Sequence, residues 1–307
     1  KDMRDEQVKT VEIKDGVHSI AEDAFNFCRT LTEVSIPESV ERIGARAFNH
    51  CGCITEITVP SGVKEIEDSV FFACSGLERV TLPDGLESIE KNAFYVCGFQ
   101  EITIPSGVTS IGEQAFGSCK KLKNISIPSG VPDIADKLFF GCSKLEKITI
   151  PDKVTYIGEM AFYDCNALRE IPIPSGVTTI KESAFGNCSS IKNIAIPSGV
   201  TVIEDNVFYG CSSLEQIPIP SGVTRIGKDA FENCSSIKSI TIPSGVTVIE
   251  EGVFSGCSAL TKIEIPSGVT SIGVCAFSGC SALGNITIPK GVTDIGAGAF
   301  IECSALK

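Results

Sequence analysis

The sequence predicts an α/β repeat solenoid, a single domain of about 13 repeats of 23 residues that fills residues 1–307. Three observations carry this expectation. A phenylalanine recurs at Phe25, Phe48, Phe71, Phe94, Phe116, Phe139, Phe162, Phe185, Phe208, Phe231, Phe254, Phe277 and Phe300. A cysteine stands three residues after each of them, from Cys28 to Cys303, and the pentapeptide Ile-Pro-Ser-Gly-Val occurs seven times, first at Ile104. Self-similarity at a fixed period of roughly 20 to 50 residues marks units that bury their apolar faces against neighbouring copies. The single irregular step, 22 residues from Phe94 to Phe116, comes from a deletion between Cys97 and Ile102 that puts Phe99 in a leucine slot. The phase then resumes, so the slip is absorbed locally, as in a one-dimensional stack.

Each element follows from one copy. In the repeat beginning at Leu122, Ile125 and Ile127 alternate with Ser126 and are stopped by Pro128, the pattern of a short strand. Pro-Ser-Gly then supplies a turn. Ile111, Ala115, Phe116 and Cys119 of the copy before fall at i, i+4, i+5 and i+8, which predicts a short helical or 3-10 segment. Units this small cannot bury an apolar face alone, so successive strands are expected to form one parallel sheet.

Composition sets outer bounds. Hydrophobic residues make up 43% and charged residues 21%, the balance of a folded chain. No apolar run reaches the roughly 18 to 20 residues of a membrane span, so this segment is not expected to insert into a membrane. A formal charge of −12 with no basic block disfavours nucleic acid. The opening KDMRDEQVK carries no signal peptide. Residues Val8 to Ile13 already read as a repeat strand, and CSALK stops where the next should begin, so evident end caps are lacking. Because solenoids need capped ends, this predicts a segment of a longer protein, lying between a signal or anchor and other domains.

The frame L-x-x-I-x-I-P-x-x-V-x-x-I-G-x-x-A-F-x-x-C, as it stands around Leu122 and its equivalents, resembles the BspA-type leucine-rich repeat of surface proteins in bacteria and some protists. Gly107 and Gly130 stand where the general leucine-rich pattern has an Asn or Cys ladder, and the cysteines lie instead after the phenylalanine. The resemblance covers residues from about 8 to 307. It implies a right-handed superhelix with a parallel β-sheet on the concave face and short helical or 3-10 turns on the convex face. It also implies an extracellular or cell-surface location and a binding or adhesion role.

Thirteen of the fifteen cysteines form the column after the phenylalanines. Stacked coils would place them about 4.8 Å apart. Parallel side chains would then hold their Cβ atoms wider than the usual roughly 3.5–4.5 Å of a disulfide, which favours free, buried thiols over a disulfide ladder. Cys53 and Cys275 lie outside the column in polar slots and are expected to be exposed. His50, Cys51 and Cys53 do not read as a metal site, since Cys51 belongs to the inward column.

Enzymatic residues are missing. Only His18 and His50 are histidines, both in variable slots, and no Gly-rich phosphate loop occurs. The many serines are turn residues without a placed base. Glu67, Glu90, Glu204 and Glu250 replace a glycine at the start of the expected helical turn, where its positive end would favour them. The chain therefore reads as a non-enzyme without cofactor or metal, and as a monomer.

What remains is binding through the strand residues that alternate with isoleucine. Their columns hold mostly Thr, Ser, Asn, Gln and charged residues, with Pro172, Ala195 and Pro218 in three coils and no aromatic residue or Met, and the chain has no Trp, so polar contacts multiplied along the array fit better than one hot spot. The first half of this face carries Glu33, Glu56 and Glu101, whereas Lys123, Lys147, Arg169 and Lys192 bring positive charge to the middle. The candidate partner-binding residues are Arg79, Glu101, Lys123, Asn124, Lys147, Thr149, Arg169, Glu170 and Lys192. The partner expected is an extracellular protein or glycan. The other reading is a structural spacer or stalk within a larger surface protein, which near-identical copies favour.

Overall fold

Most coils open with a short strand whose central side chain points inward. In the computed structural model, which describes residues 8–307, such strands include Thr10–Glu12, Glu33–Ser35, Glu56–Thr58, Arg79–Thr81, Asn124–Ser126 and Lys147–Thr149. Ser239–Thr241 and Lys262–Glu264 are their later counterparts. The burial pattern follows the alternation of the sequence: Ile57, Ile125, Ile148, Ile240 and Ile263 are buried while their neighbours on either side are exposed. Pairing is parallel and in the repeat register, with Thr10 opposite Glu33 and Asn124 opposite Lys147.

The chain divides into two compact units, Lys1–Lys153 and Val154–Lys307. Both are parallel β-solenoids. In each, Pro-Ser-Gly-Val forms a turn closed by the valine N–H on the proline carbonyl, at 3.1 Å for Val108 on Pro105 and 3.1 Å for Val177 on Pro174. A second ladder of two-residue strands follows, for example Ser19–Ile20 on Arg42–Ile43 and Val248–Ile249 on Ser271–Ile272. The deletion is visible in this ladder. Ser88 pairs with Ser110 and Ile89 with Ile111, a step of 22, and Glu101 bridges Asn124 at a step of 23 again. Gly98 takes up the shortfall: a Cβ there would lie 2.2 Å from the Ser75 carbonyl oxygen, so only glycine permits the approach.

No helix or 3-10 segment occurs among the described residues, which corrects the helical turns expected before the cysteine column. Ile111, Ala115, Phe116 and Cys119 do point inward and are buried. The backbone between them is different. Gln114 and Ser118 have φ of 56° and 54°, and the equivalent two positions of nearly every coil are also left-handed, as at Asp23 and Phe27 or Asp229 and Asn233. An α-helix needs φ near −63° throughout. Alternate N–H groups therefore leave the coil: those of Gln114, Phe116 and Ser118 bond the carbonyls of Asp136, Leu138 and Phe140 in the next coil. The ones between, on Ala115, Gly117 and Cys119, close tight turns on Gly112, Gln114 and Phe116. A segment of a few residues cannot support a helix nucleus. Bonding between coils satisfies its buried backbone instead.

The phenylalanine column is the centre of the core. In the first unit successive rings from Phe25 to Phe139 stack with centroids 5.2 to 6.0 Å apart, and in the second those from Phe162 to Phe300 do so at 5.4 to 5.8 Å. Phe99 is fully buried in its leucine slot and meets Phe94 and Phe116 edge-on.

Candidate functional site

The nine candidate partner-binding residues are all exposed, because the pleat that turns isoleucine inward turns them out. Six belong to the first unit. Four of these, Arg79, Glu101, Lys123 and Asn124, line one shallow cavity of about 350 Å³ together with Glu78, Gly98 and Gln100. It lies where the shortened coil interrupts the strand ladder. Arg79 is committed to Glu56 of the preceding coil through Nε at 3.1 Å and Nη2 at 2.5 Å, and Lys121 reaches Glu78 at 3.4 Å. Lys147 and Thr149 stand one coil further on, opposite Asn124 and Ser126.

Arg169, Glu170 and Lys192 belong to the second unit, where they line a larger open cavity of about 830 Å³ with Pro172, Asn193, Ala195, Gln216 and Pro218. Lys192 approaches Glu215 only to 3.9 Å. Lys123, Lys147 and Arg169 have no ion pair among the described residues, leaving three exposed cations for a partner.

The cysteine column is part of the core. None of the fifteen cysteines is in a disulfide. Column thiols donate to the carbonyl of the phenylalanine in the preceding coil, Cys51 to Phe25 at 3.1 Å, Cys142 to Phe116 at 3.1 Å and Cys211 to Phe185 at 3.2 Å. The same phenylalanine carbonyl also accepts the N–H of its own coil's cysteine, as Phe185 does from Cys188. Burial pushes the thiols of Cys51, Cys119, Cys211 and Cys280 up to about 12, so they are neither nucleophiles nor ready metal ligands. Cys53 is exposed, as its slot predicts, whereas Cys275 is half-buried, less open than its slot predicts. Among the described residues no group of three or more His, Cys, Asp or Glu could hold a metal ion, and no helix is long and apolar enough to cross a membrane.

Two features escaped sequence reasoning. With no helix among the described residues, Glu67 has no helix end to serve: its carboxylate accepts the Ala45 N–H of the preceding coil at 2.9 Å and pairs with Arg42 at 2.6 Å, while Glu204 pairs with Arg225 at 3.0 Å. The second is an aromatic strip on the first unit. His50 lies between Phe27 and Phe72 at 4.5 and 5.5 Å, and Phe72 stacks on Tyr95 at 5.0 Å. Phe27 is 41% exposed and has the Arg29 guanidinium 5.5 Å from its ring centre. These residues sit one or two places after the column phenylalanine in consecutive repeats, so reading the variable slots as columns would have found them. Burial lowers the His50 pKa, and Arg29 adds to the effect.

Comparison with known proteins agrees with this architecture. The family model described as BspA type leucine rich repeat region matches residues 3–101, 87–215 and 201–307 in six copies. A leucine-rich repeat protein from Bacteroides ovatus is similar at 35% identity and a TM-score of 0.87, over 97% of this chain and 86% of that one. A leucine rich cell surface protein from Faecalibacterium prausnitzii is similar at 31% identity and a TM-score of 0.62, with the same two coverages. A leucine-rich repeat protein from Eubacterium ventriosum is similar at 26% identity and a TM-score of 0.62, over 93% of this chain and 84% of that one. No curated protein is significantly similar to the chain.

Proposed function

The chain belongs to the BspA-type leucine-rich repeat family, and from that premise we propose that it is a non-enzymatic binding or adhesion module displayed outside the cell. It contacts a host or cell-surface protein or glycan through its sheet face, as a monomer and without cofactor or metal. The observation that carries this reading is the division of each coil. Isoleucine, phenylalanine and cysteine are committed to stacking, whereas the polar residues in and beside the strands are exposed, and Lys123, Lys147 and Arg169 among them have no ion pair among the described residues. Ordered in advance, they lose little entropy on contact, and repetition multiplies weak contacts. The description of the Faecalibacterium protein as a cell surface protein supports the location.

Retention of the purified chain on a panel of matrix proteins, glycans and whole cells tests the proposal. Binding that falls with salt and with Lys123→Glu plus Lys147→Glu supports it, since exposed pairs are screened within about 10 Å at 0.1 M salt. Retention by no member of the panel favours the spacer reading, which the sameness of the exposed columns Thr58, Thr81 and Thr103 supports.

A further inference from the structure

Three consecutive coils of the second unit depart from the rest of the sheet face. Between their two strand isoleucines the coils elsewhere carry Thr, Ser or Glu, but these carry Pro172, Ala195 and Pro218. All three side chains are exposed. Prolines have no N–H to give to a neighbouring strand. No backbone hydrogen bond joins residues 171–173 to residues 194–196, and the next step is held by the bridge of Asn193 with Gln216 and by the Glu215 N–H on the Lys192 carbonyl at 2.9 Å. An open groove of about 830 Å³ lies over these coils, floored by an apolar row that carries no polar side-chain atom.

The groups beside this row define what it can take. Asn193 and Gln216 stand next to it on adjacent coils, exposed and without a side-chain hydrogen bond. A carboxamide offers both a carbonyl acceptor and N–H donors, the complement of a peptide unit. Arg169 is an exposed guanidinium with no ion pair among the described residues, and Lys192 is only loosely engaged. A guanidinium presents paired donors to a carboxylate. Glycans favour aromatic platforms, which this row lacks, and two cations on a chain of charge −12 are a poor match for nucleic acid.

We propose that this groove binds an extended peptide segment of a partner protein. An apolar side chain of the peptide rests on Pro172, Ala195 and Pro218, its main chain bonds the carboxamides of Asn193 and Gln216, and an Asp or Glu side chain meets Arg169 and Lys192. This deepens the proposed binding function and rests on it.

The test uses the full chain and an array of synthetic peptides of about 12 residues rich in Pro, Val, Leu, Asp and Glu, beside the same peptides with every acid replaced by Lys. The acidic set is expected to bind, and Arg169→Glu to weaken it at least about tenfold, as loss of a charge-assisted contact does. Asn193→Ala with Gln216→Ala should weaken it regardless of salt, and Lys120→Glu, in the turn after Cys119 of the first unit, should leave it unchanged. Equal binding of acidic and Lys-substituted peptides, indifference to Arg169→Glu, or no retention of either set each overturns the groove. Matrix or glycan binding that survives the three groove substitutions overturns the groove alone and leaves the binding module standing. Loss of all binding on every surface overturns both.

Discussion

Phe185→Ala removes a ring that is wholly enclosed and lies between Phe162 at 5.5 Å and Phe208 at 5.8 Å, nearly parallel to both. Deleting a buried Phe costs its transfer free energy and the cavity left behind, together about 3 to 5 kcal/mol. Two stacked partners are lost, each worth about 0.5 to 1.5 kcal/mol beyond area, which argues for the upper part of that range. Relaxation is limited, because the Phe185 backbone stays pinned through its N–H on Val207 and its carbonyl under Cys188 and Cys211. Thr241→Ala, on an exposed strand position, should cost well under about 1 kcal/mol. Urea titration followed by far-ultraviolet circular dichroism measures both, with the slope monitored alongside the midpoint. Equal destabilisation by the two substitutions would refute the assignment of inward and outward columns.

Further outcomes follow from the same geometry. In the folded protein thiol reagents should modify Cys53 and Cys275 only, and denaturant should expose all fifteen cysteines, as alkylation with mass spectrometry will show; several column cysteines found paired in unreduced protein would refute the free ladder. The folded thiols of Cys51, Cys119, Cys211 and Cys280 are raised from 9.0 to about 12, so their contribution to stability is intact below about 9 and is lost as pH climbs toward 12. Thermal melts across that window should therefore fall, and a Cys211→Ala protein should fall less steeply. Gly98→Ala should destabilise by more than about 2 kcal/mol because its Cβ collides with backbone, whereas Gly222→Ala, with no atom within 4 Å, should be neutral or stabilising by up to about 1 kcal/mol. The repeat phase runs unbroken through Lys153 and Val154, which predicts one domain; limited proteolysis should not cut selectively there.

Periodicity alone determined the parallel stacking, the inward set and the site of the one-residue slip, because a side chain that recurs every 23 residues has the same neighbours in every coil. It also placed the nine candidate residues on the exposed side of the strands, since alternation leaves them no other direction. What the pattern could not decide was the backbone between its landmarks. Ile111, Ala115, Phe116 and Cys119 fit a helical face and also fit tight turns with left-handed residues at Gln114 and Ser118. The choice belongs to hydrogen bonds with the next coil, which no single repeat contains. The same holds for the cysteines. Their burial was legible from spacing, but their role as donors to Phe carbonyls 25 or 26 residues earlier exists only once coils are stacked. The groove over Pro172 and Pro218 likewise exists only once coils are stacked, where tertiary structure decides whether neighbouring exposed residues become a surface.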